Sequence, residues 1–172
     1  LKEFIATPFE ALHRVIPDER DMIEKELIKL SDEDSCQLII TAGGTGPAPR
    51  DVTPEATEAV CHRMLPGFGE VMRRHSMQFV KTAFLSRQTA GIRNQTLIIN
   101  MPGKPRSIRQ CMEVIAPVLP HTLMLIGHEK IKLWVNAPNQ AAVLTPADVT
   151  KENLSKNKSE MVLVMPLGVA KD

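Results

Sequence analysis

The residues with the clearest chemical potential lie in segment 38–56, where a short apolar run leads into a glycine-rich turn. Three glycines occur within segment 43–46, so several backbone N–H groups can approach one phosphate without side-chain interference. Thr53 can cap the helix that follows, and Pro54 suits the first turn of that helix. A loop that opens onto a helix N-terminus is suited to binding an anion.

The spacing of this glycine loop fits a phosphate site and a plain connection after a buried strand equally well. The loop lacks the Lys-Ser/Thr pair of a P-loop and the G-x-G-x-x-G fingerprint of dinucleotide-binding proteins. Arg50 and Asp51 add charge to the turn. Asp51 could form a salt bridge with Arg50 or cap the turn.

The elements that must position this loop alternate between strand and helix. Segment 9–16 is typical of a strand, segment 19–30 has apolar residues at helical spacing, and segment 37–41 is the apolar strand before the loop. A strand, a helix and a second strand in this order favour a parallel sheet. Asp18 precedes the predicted helix and could cap it.

The segments after the loop continue the alternation of helix and strand. Five elements are predicted there: helices at 54–64, 68–76 and 106–118, and strands at 91–93 and 96–100. Segment 161–165 is also typical of a strand, but the pattern assigns it no partner. We therefore expect one α/β domain over residues 1–126 and a C-terminal extension of uncertain structure over residues 127–172.

Composition and charge narrow the class of protein. The chain of 172 residues carries a net charge of +1 and only 3% aromatic residues, which argues against a nucleic-acid-binding surface. No apolar run approaches the length of a membrane span. The three cysteines are far apart and form no C-x-x-C pair, which favours reduced thiols in the cytoplasm over a zinc site.

Five motifs occur in the same order as in one known family. They are Val-Ile-Pro-Asp-Glu at 15–19, the glycine loop and helix start at 41–57, Leu-Pro-Gly-Phe-Gly at 65–69, Leu-Ser-Arg and Gly-Ile-Arg at 85–93, and Leu-Ile-Ile-Asn-Met-Pro-Gly at 97–103. Together they strongly resemble the Mog family of molybdenum-cofactor biosynthesis, whose relatives include the gephyrin G domain. The resemblance covers about residues 5–126.

The resemblance implies a three-layer, doubly wound α/β domain with a mostly parallel sheet, usually assembled as a homotrimer. It also implies molybdopterin adenylylation, in which AMP passes from ATP to the terminal phosphate of molybdopterin and pyrophosphate leaves. Mg²⁺ is expected with ATP, and a molybdenum insertase is an expected partner. Two other hypotheses stay open: a molybdopterin-binding trimer that has lost catalysis, and a molybdopterin-binding domain within a larger insertase.

The resemblance also assigns site residues. Catalysis is expected from Asp18, Asp51 and Ser86, and the two aspartates are hard oxygen ligands that suit Mg²⁺ shared with ATP. Substrate and nucleotide contacts are expected from the glycine loop, two arginines and the turn after a buried strand: Gly43, Gly44, Thr45, Gly46, Arg87, Arg93, Asn100, Met101, Pro102 and Gly103. Ser86 could instead simply end a strand, and the two arginines could be ion-pair partners.

The chain departs from the family pattern at its start. Relatives begin with a buried strand that ends in a Val-Ser-Asp-like segment, and this sequence begins at Leu1 without one. That N-terminal strand would normally lie centrally in the sheet, so its absence would expose strand edges. We therefore expect that residues upstream of Leu1 are missing from the sequence.

Overall fold

The computed structural model describes residues 1, 3–134, 143–144 and 159–167. Eight strands are present in these ranges: β1 (Phe9–Pro17), β2 (Leu38–Ala42), β3 (Arg63–Met64), β4 (Ala90–Arg93), β5 (Thr96–Met101), β6 (Leu133–Trp134), β7 (Val143–Leu144) and β8 (Ser159–Leu167). The α-helices are α1 (Arg20–Asp32), α2 (Thr53–Val60), α3 (Pro66–Ser76), α4 (Pro105–Ile115) and α5 (Leu119–Leu125). Short 3₁₀ turns span Lys81–Leu85 and Ala116–Val118.

Six of these strands form one mixed sheet in the order β1-β8-β2-β5-β4-β3. The first four strands run parallel, whereas β4 and β3 are antiparallel to their neighbours. Strands β6 and β7 pair separately as a two-stranded parallel sheet. The predicted α/β class and mostly parallel sheet are therefore confirmed.

Helices cover both faces of this sheet, which confirms the three-layer architecture. Alternate residues of a strand point to opposite faces, so Leu38 and Ile40 join one core cluster while Ile39 joins the other. The first cluster includes residues of α3, α4 and α5, and the second includes residues of α1 and α2. β2 is buried along its whole length, as expected of a strand covered on both faces.

The strand predicted at 161–165 is confirmed and extends over the nine residues of β8. It lies between β1 and β2 and runs parallel to both, with Leu12 and Ile39 on either side of Val162. The sheet therefore has no exposed strand edge between β1 and β2. The division at residue 126 stays a prediction, although β8 belongs to the same sheet as the strands before that point.

Two predicted boundaries are wrong because β-pairing interrupts the helical segment. The helix predicted at 54–64 ends at Val60, and β3 follows by pairing with β4. Backbone hydrogen bonds from His62 N to Ile92 O (2.8 Å) and from Leu65 N to Ala90 O (2.7 Å) hold this extended segment. The next helix then begins at Pro66 rather than at residue 68, with proline in its first turn.

Other elements lie close to their predicted positions. β4 and β5 form the predicted pair of short strands, joined by a turn in which Asn94 has a φ of 50°. The helix predicted at 106–118 is α4 followed by the second 3₁₀ turn. No helix in the described part of the chain is long and apolar enough to cross a bilayer.

Candidate functional site

The site is built where the C-terminal ends of β1, β2 and β5 meet at one edge of the sheet. Parallel strands place the loops that follow them side by side, and such an edge is where open α/β sheets bind ligands. Gly43 N donates a hydrogen bond to Met101 O (3.0 Å), which joins the glycine loop to the end of β5. Gly103 packs against the same loop, since a Cβ on Gly103 would lie 3.3 Å from Gly43 Cα.

The glycine loop turns sharply at two consecutive left-handed residues, Gly43 (φ 109°) and Gly44 (φ 62°). Gly44 O then accepts a hydrogen bond from Thr53 N (3.1 Å), which closes the loop onto the start of α2. Among the described residues, the N–H groups of Gly44, Thr45 and Gly46 donate no hydrogen bond. The loop can therefore offer backbone donors to a phosphate, as predicted from its glycines.

Thr53 does not cap α2, and that prediction is wrong. The N-cap residue is Val52, no side-chain cap bond forms, and Thr53 is already the first helical residue. Its buried hydroxyl faces the glycine loop instead, because a Cβ on Gly44 would overlap Thr53 Oγ1. Thr53 Oγ1 has no hydrogen-bond partner among the described residues, so it is a further polar group available at the site.

We expect Gly44→Ala to destabilise the protein by about 1–3 kcal/mol, the usual range for a non-glycine residue held in a left-handed conformation. The overlap with Thr53 adds to this strain. Gly67→Ala is the control, because Gly67 is exposed in the first turn of α3 and a Cβ there would meet no atom within 4 Å. Urea unfolding should show a loss for the first variant and none for the second. Equal stabilities would contradict the left-handed conformation of Gly44.

Asp51 closes the turn that follows the glycines. Its Oδ2 accepts a hydrogen bond from Ala48 N (3.0 Å), and its own N–H donates to Ala48 O (2.9 Å). The carboxylate also lies beside Gly46, where an added Cβ would be 2.7 Å from Asp51 Oδ2. Asp51 therefore does cap the turn, and the same geometry holds its negative charge next to the glycine loop.

Asp18 reaches the same loop from the end of β1. The N-cap of α1 is Glu19 and has no side-chain cap bond, so the capping interpretation of Asp18 is not supported. Asp18 Oδ1 is buried without a partner among the described residues and lies 3.6 Å from the Cβ position of Gly44. Burial raises the pKa of Asp18, the charges of Asp51 and Glu19 raise it further, and Arg50 opposes the shift.

We expect Asp18→Asn to raise the melting temperature at pH 7. The pKa of Asp18 is higher in the folded protein than its ordinary value of 3.8, so the ionised carboxylate opposes folding above the folded-state pKa. This penalty disappears as the pH falls through the raised pKa towards 3.8, so the gain from Asn should shrink in acid. Thermal unfolding between pH 7 and pH 4 measures this, with Glu70→Gln on the exposed face of α3 as the control. A lower melting temperature at pH 7 would mean that the carboxylate makes a stabilising contact.

Ser86 comes to the glycine loop from the segment after the first 3₁₀ turn. Its hydroxyl lies 3.2 Å from Thr45 Oγ1 and donates to Gln88 Oε1 (3.0 Å). The adjacent Arg87 N donates to Thr45 O (2.7 Å), which ties the two segments together along the backbone. The structure thus brings Asp18, Asp51 and Ser86 to one loop.

Arg87 holds the glycine loop together. Its guanidinium donates to Gly46 O (2.9 Å), to Asp51 O and to the carboxylate of Glu55 on α2. Burial alone would raise the pKa of Glu55, but the hydrogen bond and charge of Arg87 lower it overall. The ion-pair interpretation therefore describes Arg87 in this structure, and its contacts span the loop from Gly46 to Glu55.

Arg93 is not brought to the site. It ends β4 opposite Thr96 at the start of β5, whereas the glycine loop lies at the far end of β5. Its guanidinium donates to both carboxylate oxygens of Asp32 (Nε to Oδ1 3.0 Å, Nη2 to Oδ2 2.5 Å) and to Val60 O (2.9 Å). The geometry of Arg93 is that of an ion-pair partner.

The turn after β5 supports the loop and also forms its rim. Asn100 is fully buried, and its Nδ2 donates to Thr41 Oγ1 (3.0 Å) and Thr57 Oγ1 (2.8 Å). Its Oδ1 has no partner among the described residues. Met101 is also fully buried, so it contributes a backbone carbonyl rather than a side chain. Pro102 and Gly103 remain at the surface of this turn, beside Gly43.

The site gathers buried oxygen atoms that have no partner within the described part of the chain. They belong to one carboxylate from β1, one hydroxyl and one carboxylate from α2, and one amide from β5: Asp18 Oδ1, Thr53 Oγ1, Glu55 Oε2 and Asn100 Oδ1. Buried polar atoms are normally paired with protein or water, so such a group points to a ligand, an ion or ordered water. Backbone donors beside carboxylates are the combination that phosphates with a divalent cation require.

Comparisons with known proteins identify the family of this chain. The family model described as "Probable molybdopterin binding domain" matches residues 9–121. A molybdopterin adenylyltransferase of Helicobacter pylori is 59% identical over 126 residues, which cover 73% of this chain and 72% of that protein. A molybdopterin adenylyltransferase of Escherichia coli is 57% identical over 113 residues, covering 66% of this chain and 58% of its own. The crystal structure of the molybdopterin biosynthesis enzyme MoaB from Thermus thermophilus matches with a TM-score of 0.62 at 47% identity, over 66% of this chain and 72% of that one.

Proposed function

This chain belongs to the molybdopterin-binding domain family, and we propose that it is a molybdopterin adenylyltransferase acting in molybdenum-cofactor biosynthesis. In the reaction, an oxygen of the terminal phosphate of molybdopterin attacks the α-phosphorus of ATP. The bond between that phosphorus and the oxygen leading to the β-phosphate breaks, and pyrophosphate leaves. The observation that carries the proposal is the glycine loop, which has unpaired N–H groups and lies beside the buried, unpartnered carboxylate oxygen of Asp18.

The residues supply positioning and charge rather than covalent chemistry, which is what phosphoryl and nucleotidyl transfer mainly require. Gly44, Thr45 and Gly46 would hold phosphate oxygens through their N–H groups. Arg87 acts indirectly, since its contacts with loop carbonyls fix the position of those donors. Asn100, near the end of β5, is fully buried and would support the nucleotide or pterin site from below, by holding Thr41 and Thr57 through its amide.

A magnesium ion is a finer part of this proposal. No group of three or more His, Cys, Asp and Glu side chains in the described residues could hold a metal by itself. Mg²⁺ commonly combines one or two carboxylates with substrate phosphates, and Asp18 and Asp51 fit that requirement. Asp18 has a buried oxygen without a partner, and its pKa is raised by burial and further by the charge of Asp51, so a cation would relieve both costs. The ion would neutralise phosphate charge during the displacement.

We also propose an assembly, a partner and a location for this protein. A homotrimer would cover apolar side chains of α3, the first 3₁₀ turn and segment 77–80 between them, where six large side chains are exposed: Val71, Met77, Phe79, Val80, Phe84 and Leu85. A molybdenum insertase is the proposed partner, because the adenylylated pterin must be passed to an enzyme that exchanges AMP for molybdate. The cytoplasm is the proposed location, since all three cysteines are free thiols.

The proposal is tested by incubating the purified protein with molybdopterin and Mg-ATP. We expect stoichiometric formation of pyrophosphate and adenylylated molybdopterin. An ATP analogue with a methylene bridge between the α- and β-phosphates is the control, because it binds like ATP but cannot release pyrophosphate. Tight molybdopterin binding without ATP consumption by a folded protein would overturn the proposal and would favour a binding module.

A further inference from the structure

Ser86 has a single hydroxyl hydrogen, and the structure shows which acceptor this hydrogen points to. An amide oxygen can only accept, so the 3.0 Å bond between Ser86 Oγ and Gln88 Oε1 requires the serine to donate. The 3.2 Å contact between Ser86 and Thr45 must then use the threonine proton. Ser86 Oγ can therefore still accept a hydrogen bond at the site, but it has no hydrogen left to donate to a ligand.

The side chain of Gln88 is held in place from two helices. It is 2% exposed, and its Nε2 points to Cys111 Sγ of α4 at 4.0 Å. Its backbone carbonyl accepts a hydrogen bond from Arg73 Nη1 (2.7 Å) on α3. The same carbonyl lies so close to Gly69 that a Cβ there would overlap it. Gln88, whose amide oxygen accepts the hydrogen bond from Ser86, is therefore held in place by its contacts with α3 and α4.

Gln88 follows Ser86 by two residues and carries no motif of its own, so nothing in its sequence context indicates a role. If the Gln88 side chain only filled space in the core, its volume would be the only property that matters. Its amide oxygen, however, is aimed at a hydroxyl that also contacts the glycine loop. A methionine could fill the same space, but it has no amide oxygen to accept the hydrogen bond from Ser86.

We propose that Gln88 is a positioning residue for the transfer reaction: its amide oxygen accepts the hydrogen bond from the Ser86 hydroxyl and thereby leaves Ser86 Oγ as a hydrogen-bond acceptor towards the site. This inference rests on the proposed adenylyltransferase function. It implies that Ser86 contacts a donor, such as a water bound to the cation or an N–H or O–H of the pterin. A phosphate oxygen, which is itself an acceptor, is excluded as the partner of Ser86.

The test compares Gln88→Met with Gln88→Glu in steady-state assays with molybdopterin and Mg-ATP from pH 6 to pH 9. Gln88→Met keeps the volume but loses the acceptor, and we expect kcat to fall about 10- to 100-fold with little change in the KM for ATP. The ionised carboxylate of Gln88→Glu can only accept a hydrogen bond from Ser86, whereas its protonated form can also turn an O–H donor towards Ser86. We therefore expect it to regain activity at high pH, through an ionisation that the wild-type profile lacks. Gln110→Met is the matched control, a second buried glutamine, on α4.

Wild-type kcat in Gln88→Met, or a pH profile of Gln88→Glu that matches that of Gln88→Met, would overturn the inference. A neutron structure of the wild-type protein provides a readout that does not depend on turnover. We expect the hydroxyl deuterium of Ser86 to point to Gln88 Oε1 and that of Thr45 to point to Ser86 Oγ; a Ser86 deuterium that points to Thr45 or into the site would also overturn the inference. Absence of turnover in the wild type itself would contradict the proposed function, while the Ser86 geometry would still decide the role of Gln88.

Discussion

Asp51→Asn is expected to lower turnover by about 10²- to 10³-fold, the usual loss when one preorganised electrostatic group is removed. Asparagine keeps the size of aspartate and an oxygen that can accept the hydrogen bond from Ala48 N, so the turn should persist. Only the negative charge beside Gly46 is lost, and with it one of the two carboxylates that we propose for Mg²⁺. Steady-state turnover together with urea unfolding separates the two effects, and the free energy of unfolding should stay close to wild type.

Two further variants are compared with Asp51→Asn as controls. Asp51→Ala removes the turn bond as well as the charge, so it should lower both turnover and stability. Glu58→Gln removes an exposed carboxylate on α2 and should change neither. If Asp51→Asn itself unfolds, the aspartate is mainly structural. If Asp51→Asn keeps wild-type turnover, the assignment of Asp51 to catalysis is wrong.

The part of the site that could be predicted from the sequence depends on local patterns and on one rule of parallel sheets. Glycines after an apolar run indicate a tight loop, and the structure places two of them, Gly43 and Gly44, in left-handed conformations. Asp18 and Asn100 are far apart in sequence, but each follows or ends a parallel strand. The C-terminal ends of such strands meet at one edge, which is why these residues converge.

The partners of the two arginines could not be predicted from local sequence patterns. Arg87 and Arg93 both follow short motifs and look equivalent in sequence, yet one spans the glycine loop and the other pairs with Asp32 at the opposite end of β5. The difference comes from the β4–β5 hairpin, which carries Arg93 away from the loop. A guanidinium can serve a ligand, a carboxylate or backbone carbonyls, and only the tertiary contacts decide among these partners.

The same limit applies to Thr53 and Gln88. Thr53 has the composition of a helix cap, but the chain enters α2 one residue earlier and turns its hydroxyl to Gly44. Its position directly after the loop was a usable signal. Gln88 has no comparable signal, because its partners come from Ser86 on one side and from α4 on the other.

The pairing of β8 could not be predicted from its apolar pattern, because parallel pairing joins segments that are distant in sequence and leaves no local turn signal. Its position between β1 and β2 predicts a large effect for Val162→Pro. Val162 lies opposite Leu12 on one side and Ile39 on the other. Proline removes the N–H that bonds one neighbour, and we expect the free energy of unfolding to fall by about 2–4 kcal/mol, since a buried carbonyl loses its partner in a central strand.

Val162→Ile keeps the backbone N–H and is the matched control, so it should lose much less stability than Val162→Pro. Hydrogen exchange resolves the effect along the sheet: the amides of β1 and β2 that face β8 should lose protection in Val162→Pro, whereas those of β5, which pairs with the other edge of β2, should lose less. A chain that ends at residue 158 should show the same loss of protection. If Val162→Pro is as stable as Val162→Ile, β8 does not contribute to the sheet in solution. Another segment must then cover the edges of β1 and β2, because unpaired strand edges are unfavourable. β2 carries the glycine loop, so the position of that loop depends on the strands on both sides of β2.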